Sequence, residues 1–167
     1  MKKALYPASF DPITYGHMDI ISQALKIYDK VVIACLVNSS KKSGMFTLEE
    51  RTKLIKEIYK DNPKVEILTI TEDITAVDVA LENGCETMIR GLRDLTDFAE
   101  ELKLSEINLA ISEGKVSTVA FFANPSKTTI SSSTTKELAR YGKNIDNFVH
   151  PIVNDAILKK INKKKGD

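Results

Sequence analysis

Four separate segments of the sequence carry side chains suited to binding phosphate groups. Lysine and arginine offer positive charge and N–H donors, while serines at a helix start offer hydroxyl and backbone donors to an anion. We therefore expect chemistry on phosphate-bearing substrates. In chain order the segments are YPASFDPITYGH (6–17), SSKK (39–42), IRGLRD (89–94) and TTISSSTTKE (128–137).

The first segment follows a predicted strand and opens a helix at Gly16 and His17. A helix N-terminus presents unpaired backbone N–H groups that bind phosphate, and glycine lets the backbone approach a ligand closely. His17 is then placed to donate a hydrogen bond to a phosphoryl oxygen. By itself TYGH (14–17) is more often a turn with an incidental surface histidine, but SFDP (9–12) just upstream favours the functional interpretation.

Each of the other three segments has a structural alternative. Lys41 or Lys42 either holds a phosphate as a point charge or lies in a solvated loop. Arg90 and Arg93 either recognise phosphate oxygens with forked donors or form surface ion pairs. The serines at 131–133 either form an anion cradle or serve only to cap the next helix.

The combination favours direct phosphoryl chemistry over covalent catalysis. No nucleophile–base pair accompanies the phosphate donors, and the sequence contains neither GxxxxGKS nor GxGxxG, which disfavours P-loop kinases and dinucleotide dehydrogenases. An in-line transfer between bound phosphates can proceed by positioning and charge stabilisation alone.

Alternating apolar runs and amphipathic stretches predict the elements that position these groups. The pattern is typical of a doubly wound, Rossmann-like parallel α/β sheet of about five strands flanked by helices, in which ligands bind at the carboxyl ends of the strands. The predicted strands are 2–7, 30–37, 64–70, 86–90 and 116–123, and the predicted helices are 19–28, 47–59, 74–84, 94–111, 131–142 and 151–161.

The composition is that of an ordinary globular domain. Of 167 residues, 43% are hydrophobic and 28% charged, and the net charge of +1 gives no general attraction to nucleic acid or to an anionic membrane. We expect one domain over 1–162, a basic tail over 163–167, and a cytoplasmic location without a signal peptide or membrane helix. Cys35 and Cys85 lie in apolar segments and are expected to be buried, reduced thiols.

At these segments the chain resembles the phosphopantetheine adenylyltransferases of bacterial coenzyme A biosynthesis. The resembling motifs are YPASFDPITYGH, SSKK, MFTLEER (45–51), IRGLR, DF (97–98) and ISSSTTKELA (130–139), in family order and over nearly the whole chain. The resemblance implies that ATP and 4′-phosphopantetheine react to give dephospho-coenzyme A and pyrophosphate. It also implies Mg²⁺, a homohexamer, and coenzyme A as a candidate feedback ligand.

The resemblance also assigns roles to individual positions. His17 matches the position that stabilises the transition state at the α-phosphate, and Arg93 matches one that lines the triphosphate. Lys41 and Arg90 match positions that hold the phosphate of the acceptor. The full set of acceptor contacts implied is Ser9, Lys41, Ala76 and Arg90. The nucleotide contacts implied are Ser9, Phe10, His17, Gly91, Leu92, Arg93, Glu101, Lys127, Thr128, Thr129, Ile130, Ser131, Ser132 and Ser133.

Two other interpretations stay open from the sequence. One is a related cytidylyltransferase, or a nicotinate or nicotinamide mononucleotide adenylyltransferase. Such relatives usually carry HxGH, whereas Thr14 stands at the first position here. The other is a catalytically weak nucleotide- or coenzyme-binding regulator, which would not need a transition-state donor such as His17.

Overall fold

A computed structural model describes residues 1–37 and 44–165 of the chain, and it confirms the predicted five-stranded α/β fold. All strand pairs are parallel. The strands are β1 (Lys3–Ala8), β2 (Lys30–Cys35), β3 (Val65–Thr69), β4 (Thr87–Leu92) and β5 (Ser117–Phe122). The helices are α1 (Tyr15–Ala24), α2 (Leu48–Tyr59), α3 (Ala76–Glu82), α4 (Leu95–Ile111), α5 (Ser132–Arg140) and α6 (Pro151–Lys165).

The strand order is β3-β2-β1-β4-β5. From the central strand β1 the chain adds β2 and β3 on one side of the sheet, and it then returns to add β4 and β5 on the other side. Two adjacent strands, β1 and β4, therefore send their connections away from each other at their carboxyl ends. In open α/β sheets this switch point leaves the crevice in which ligands bind.

Side chains alternate between two apolar cores on the two faces of the sheet. In β1, Tyr6 packs into the larger core with α1, α2 and α6, while Leu5 packs into a smaller core with α3. The same alternation along β2 explains its uninterrupted apolar run, because both faces are covered. Cys35 and Cys85 are buried and unpaired, as predicted.

Helices α1 and α6 differ most from the sequence prediction. Helix α1 begins at Tyr15 rather than at 19, because Thr14 rather than a later residue is its N-cap, and it ends at Ala24 rather than at 28. Helix α6 continues to Lys165, so the predicted basic tail is helical over 163–165. By contrast, Thr47 and Glu50 form the predicted capping box of α2 through reciprocal bonds of 3.2 and 2.8 Å.

Over the described ranges, no helix is both long and apolar enough to cross a lipid bilayer.

Candidate active site

A polar crevice lies at the carboxyl ends of β1 and β4, where the strand order reverses. Three of the four segments with predicted phosphate donors contribute to it. They are the turn after β1, the end of β4 and the start of α5. Its lining residues are Tyr6, Ala8, Ser9, Thr14, Gly16, His17, Ile20, Arg90, Gly91, Arg93, Asp97, Glu101, Ala123, Lys127, Ile130, Ser131, Ser132 and Ser133.

The first turn of α1 fixes His17 in one tautomer. The backbone N–H of Thr14 donates to Nδ1 of His17 over 3.1 Å, and the Thr14 hydroxyl lies 3.0 Å from the same nitrogen. Because Nδ1 accepts a hydrogen bond, the ring proton of neutral His17 is on Nε2. His17 therefore offers an N–H donor from Nε2.

His17 is neutral because it is buried among positive charges. Burial, followed by the nearby Arg93 and Arg90 guanidinium groups, lowers the pKa of His17 from 6.5 to about 4. The ring packs edge-on against Phe10, with centroids 5.0 Å apart, and Phe10 packs against Tyr6 at 5.4 Å. These aromatic contacts hold the imidazole plane while its donor stays at the crevice.

Gly16 allows the first turn of α1 to approach the loop before α5. A Cβ at this position would lie 3.1 Å from the carbonyl oxygen of Ile130, which is closer than nearly all real contacts. This close approach brings His17 near the serines at 131–133. The sequence argument expected glycine to admit a ligand, whereas the close contact at Gly16 is with the protein backbone.

Arg90 is held by two other elements and keeps donors for a ligand. Its Nε and Nη2 donate to the two carboxylate oxygens of Glu101 at 2.6 and 2.5 Å, and Nη1 donates to the Pro7 carbonyl at 3.0 Å. Contacts within the described residues thus use three of the five guanidinium N–H groups. The two others are enough for a bidentate contact with a phosphate.

Arg93 is oriented in the same way by Asp97, in the first turn of α4. Nε and Nη2 of Arg93 donate to the Asp97 carboxylate at 2.9 and 3.1 Å, and the Arg93 backbone N–H donates to it at 3.0 Å. These hydrogen bonds lower the pKa of Asp97 and raise that of Arg93. Asp97 and Glu101 are four residues apart, so one face of α4 orients both arginines.

The serines at 131–133 lie at the start of α5, where Ser131 caps the helix and all three line the crevice. Ser131 is the N-cap, and its hydroxyl accepts from the Thr134 backbone N–H at 3.0 Å. The Ser132 hydroxyl donates to the Pro12 carbonyl at 2.7 Å. The capping interpretation is confirmed for Ser131, and all three serines also line the crevice, so the anion-cradle interpretation stays a prediction.

Some predicted site residues do not line this crevice. The Phe10 and Leu92 side chains are buried, which leaves only their backbones for a ligand. Ala76 is half-buried and packs against the smaller core, and Thr128 and Thr129 lie outside the lining set. Lys41 and its neighbour Lys42 are outside the described residues.

The sequence analysis gave no role to Thr14, Asp97, Asp11 or Lys136. Thr14 and Asp97 orient His17 and Arg93, and both carry a readable signal. Thr14 stands three residues before His17, the spacing of an N-cap and the residue it pairs with, and Asp97 stands four residues after Arg93.

Comparison with known proteins agrees with this geometry. Residues 5–138 match the family model described as cytidylyltransferase-like. The chain is 41% identical to the phosphopantetheine adenylyltransferase of Lachnoclostridium phytofermentans, covering all of both chains. It is 39% identical to that of Geotalea daltonii and 36% identical to that of Caldanaerobacter subterraneus, each over 98% of this chain and 99% of the relative.

A solved structure shows the same fold at low sequence identity. This protein from Vibrio parahaemolyticus, assigned as a nicotinate-nucleotide adenylyltransferase, superposes with a TM-score of 0.67 at 19% identity, over 95% of this chain and 92% of the other. The fold, the crevice at its switch point and the full-length identities lead to one conclusion: the chain belongs to the phosphopantetheine adenylyltransferase family of nucleotidyltransferases.

Proposed function

We propose that the chain transfers the adenylyl group of ATP to 4′-phosphopantetheine, giving dephospho-coenzyme A and pyrophosphate. The observation that carries the proposal is the shared crevice in which a neutral His17, Arg90, Arg93 and the serines at 131–133 surround one space at the switch point. The full-length relatives carry the name of this activity.

The reaction needs no general base, because the acceptor phosphate is already an anion. One of its oxygens forms a bond to the α-phosphorus of ATP while the bond from that phosphorus to the bridging oxygen breaks, and pyrophosphate leaves with the electron pair. Negative charge builds on the α-phosphoryl oxygens, where the Nε2–H of His17 donates. Neutral His17 can serve at neutral pH throughout, since its pKa is about 4.

The arginines lower the repulsion between the two anionic substrates. We assign Arg90, with Ser9 and Lys41, to the acceptor phosphate, and Arg93, with Lys127, to the triphosphate. Asp97 and Glu101 keep the guanidinium groups in place before substrates arrive, which reduces the reorganisation needed during the reaction.

We propose Mg²⁺ as a cofactor that reaches the site on the triphosphate. Mg²⁺ in nucleotide sites is commonly held by substrate phosphates, water and one or two carboxylates. The lining carboxylates, Asp97 and Glu101, are engaged by arginines, so this chain fits a metal carried mainly by the phosphates. When bound, the metal supplies charge neutralisation on the leaving pyrophosphate.

The test is pyrophosphate release with each of ATP, CTP and GTP against 4′-phosphopantetheine and nicotinate mononucleotide. We expect release only with ATP plus 4′-phosphopantetheine, dependent on Mg²⁺ and inhibited by coenzyme A. Turnover with CTP or with nicotinate mononucleotide would show that the substrates differ from those proposed here. ATP binding without turnover of any substrate pair would show that the protein binds nucleotide but is not an enzyme.

We further propose that the chain assembles as a homohexamer in the cytoplasm, where ATP is made. Helix α4 supports self-association, because none of its 17 residues is buried. Seven apolar side chains of α4 are exposed, as is that of Phe122 at the end of edge strand β5, and exposed apolar side chains at this density favour an interface. Those of α4 are Leu95, Phe98, Leu102, Leu104, Ile107, Leu109 and Ile111.

Sedimentation equilibrium tests the assembly. We expect six times the chain mass of 18.6 kDa for the wild type and a smaller species for Phe98→Asp. The matched control is Ile27→Asp, which replaces another exposed apolar side chain away from α4. A wild type that sediments as a monomer would contradict the proposal.

A further inference from the structure

A buried ion pair lies beside the crevice and connects the turn after β1 to helix α5. The Lys136 ammonium of α5 donates to Oδ2 of Asp11 at 3.0 Å, and the two side chains are only 13% and 10% exposed. Asp11 lies in the turn after β1, and 125 residues separate the partners. A buried pair is weak evidence for stability, since apolar replacements of similar volume are often as stable.

On one side, Asp11 holds the chain that follows the predicted acceptor lysine. Its carboxylate accepts from the backbone N–H groups of Met45 and Phe46 at 3.0 and 2.9 Å. A Cβ at Gly44 would lie 2.9 Å from Oδ2 of Asp11, so only glycine permits this approach. The backbone at 44–46 is thereby fixed to the turn that also carries Ser9, a predicted acceptor contact that lines both the crevice and the cavity beside it.

On the other side, Lys136 holds the helix that begins with the serines of the crevice. Helix α5 starts at Ser132, and Lys136 follows one turn later. The same helix is attached to the same turn a second time, by the Ser132 hydroxyl on the Pro12 carbonyl. A displacement of Asp11 relative to Lys136 would therefore move the serines relative to residues 44–46.

Three donors surround the Asp11 carboxylate, which favours a fixed connection between residues 44–46 and α5. Burial would raise the pKa of Asp11, but the hydrogen bonds from Lys136, Phe46 and Met45 outweigh it and hold the pKa below its usual value. The carboxylate stays ionised and keeps its three donors at neutral pH.

We propose that Asp11 and Lys136 are positioning residues that join the acceptor side of the crevice to the nucleotide side. Neither side chain lines the main crevice. Both line a small cavity beside it, together with Ser9 and Ser132. The inference rests on the proposed function, because the two sides are defined by the two substrates.

The test measures kcat and both KM values for Asp11→Asn and Lys136→Met, each well below its melting temperature. Small misplacements of reacting groups cost up to about 100-fold in rate, so we expect kcat/KM to fall by about 10- to 100-fold with both KM values raised. Lys136→Arg, which keeps the charge, is expected to retain activity within about fivefold of wild type. The double variant Asp11→Asn/Lys136→Met should lose no more than the worse single variant.

Lys60→Met is the control. It removes a lysine whose ammonium lies 2.9 Å from the Glu57 carboxylate and that lines neither the crevice nor the small cavity beside it, and we expect unchanged kinetics. If Asp11→Asn and Lys136→Met lower only the melting temperature, the pair is merely structural and the proposal fails. A KM increase confined to one substrate would also overturn the joining role.

Amide hydrogen exchange gives a readout that does not depend on turnover. In Lys136→Met we expect faster exchange both at Met45 and Phe46 and in the first turn of α5, and unchanged exchange at either place would overturn the proposal. A wild type that releases no pyrophosphate refutes the proposed function. An active wild type with unaffected variants refutes only the role of the pair.

Discussion

Acidification should destabilise the protein through His17 in a calculable way. The folded pKa of about 4 lies below the ordinary value of 6.5, so the unfolded chain takes up the proton first as pH falls. The contribution of His17 is complete above pH 6.5 and is lost between 6.5 and 4. This difference corresponds to about 3 kcal/mol, of which about 2 kcal/mol is lost by pH 5.

The assay is the free energy of unfolding from urea titrations at pH 7, 6 and 5, at one fixed protein concentration because assembly adds stability. Carboxylates also make the protein sensitive to acid. We therefore compare how much the free energy of unfolding falls with pH in the wild type and in His17→Gln, and take the difference between the two. We expect the wild type to lose about 2 kcal/mol more than His17→Gln between pH 7 and pH 5.

If the wild type and His17→Gln lose the same free energy of unfolding between pH 7 and pH 5, the reasoning is refuted. Equal losses would mean that His17 is not held neutral, and its assignment as an N–H donor from Nε2 would lose its support.

Two further predictions concern the charged groups. Asp97→Asn should raise the ATP KM about fivefold, because Arg93 loses charge-assisted bonds in a partly exposed pair. Steady-state kinetics measures this, with Glu113→Gln as the control at the exposed Lys115 pair. An unchanged ATP KM would show that Asp97 does not position Arg93. Lys41→Ala should chiefly raise the KM for 4′-phosphopantetheine, by about tenfold for the loss of a phosphate contact worth about 1.4 kcal/mol. An unchanged acceptor KM would exclude Lys41 from the site.

The sheet was predictable because its signals are local. Apolar runs such as 30–37 and capping motifs such as Thr47 with Glu50 depend on neighbours within a few residues, and the structure confirms them. The apolar periodicity placed the start of α1 too late, at 19, because it detects only the buried face of the helix. The phosphate-site argument, which had the helix open at Gly16 and His17, came closer to the observed start at Tyr15.

The crevice was only partly predictable, because its internal contacts join distant residues. Strand ends indicated that His17, Arg90 and Arg93 would meet, and the structure brings them together. The pairing of Arg90 with Glu101 depends on how α4 packs on β4, and that of Asp11 with Lys136 depends on the whole fold. Neither spacing, 11 nor 125 residues, corresponds to a local periodicity.

The most direct test of the central claim is the turnover of His17→Ala with ATP and 4′-phosphopantetheine, measured by pyrophosphate release. Loss of one transition-state donor predicts a fall in kcat of about 10²- to 10³-fold with the ATP KM changed less than about threefold. A variant that keeps wild-type kcat and only binds ATP more weakly would contradict the account.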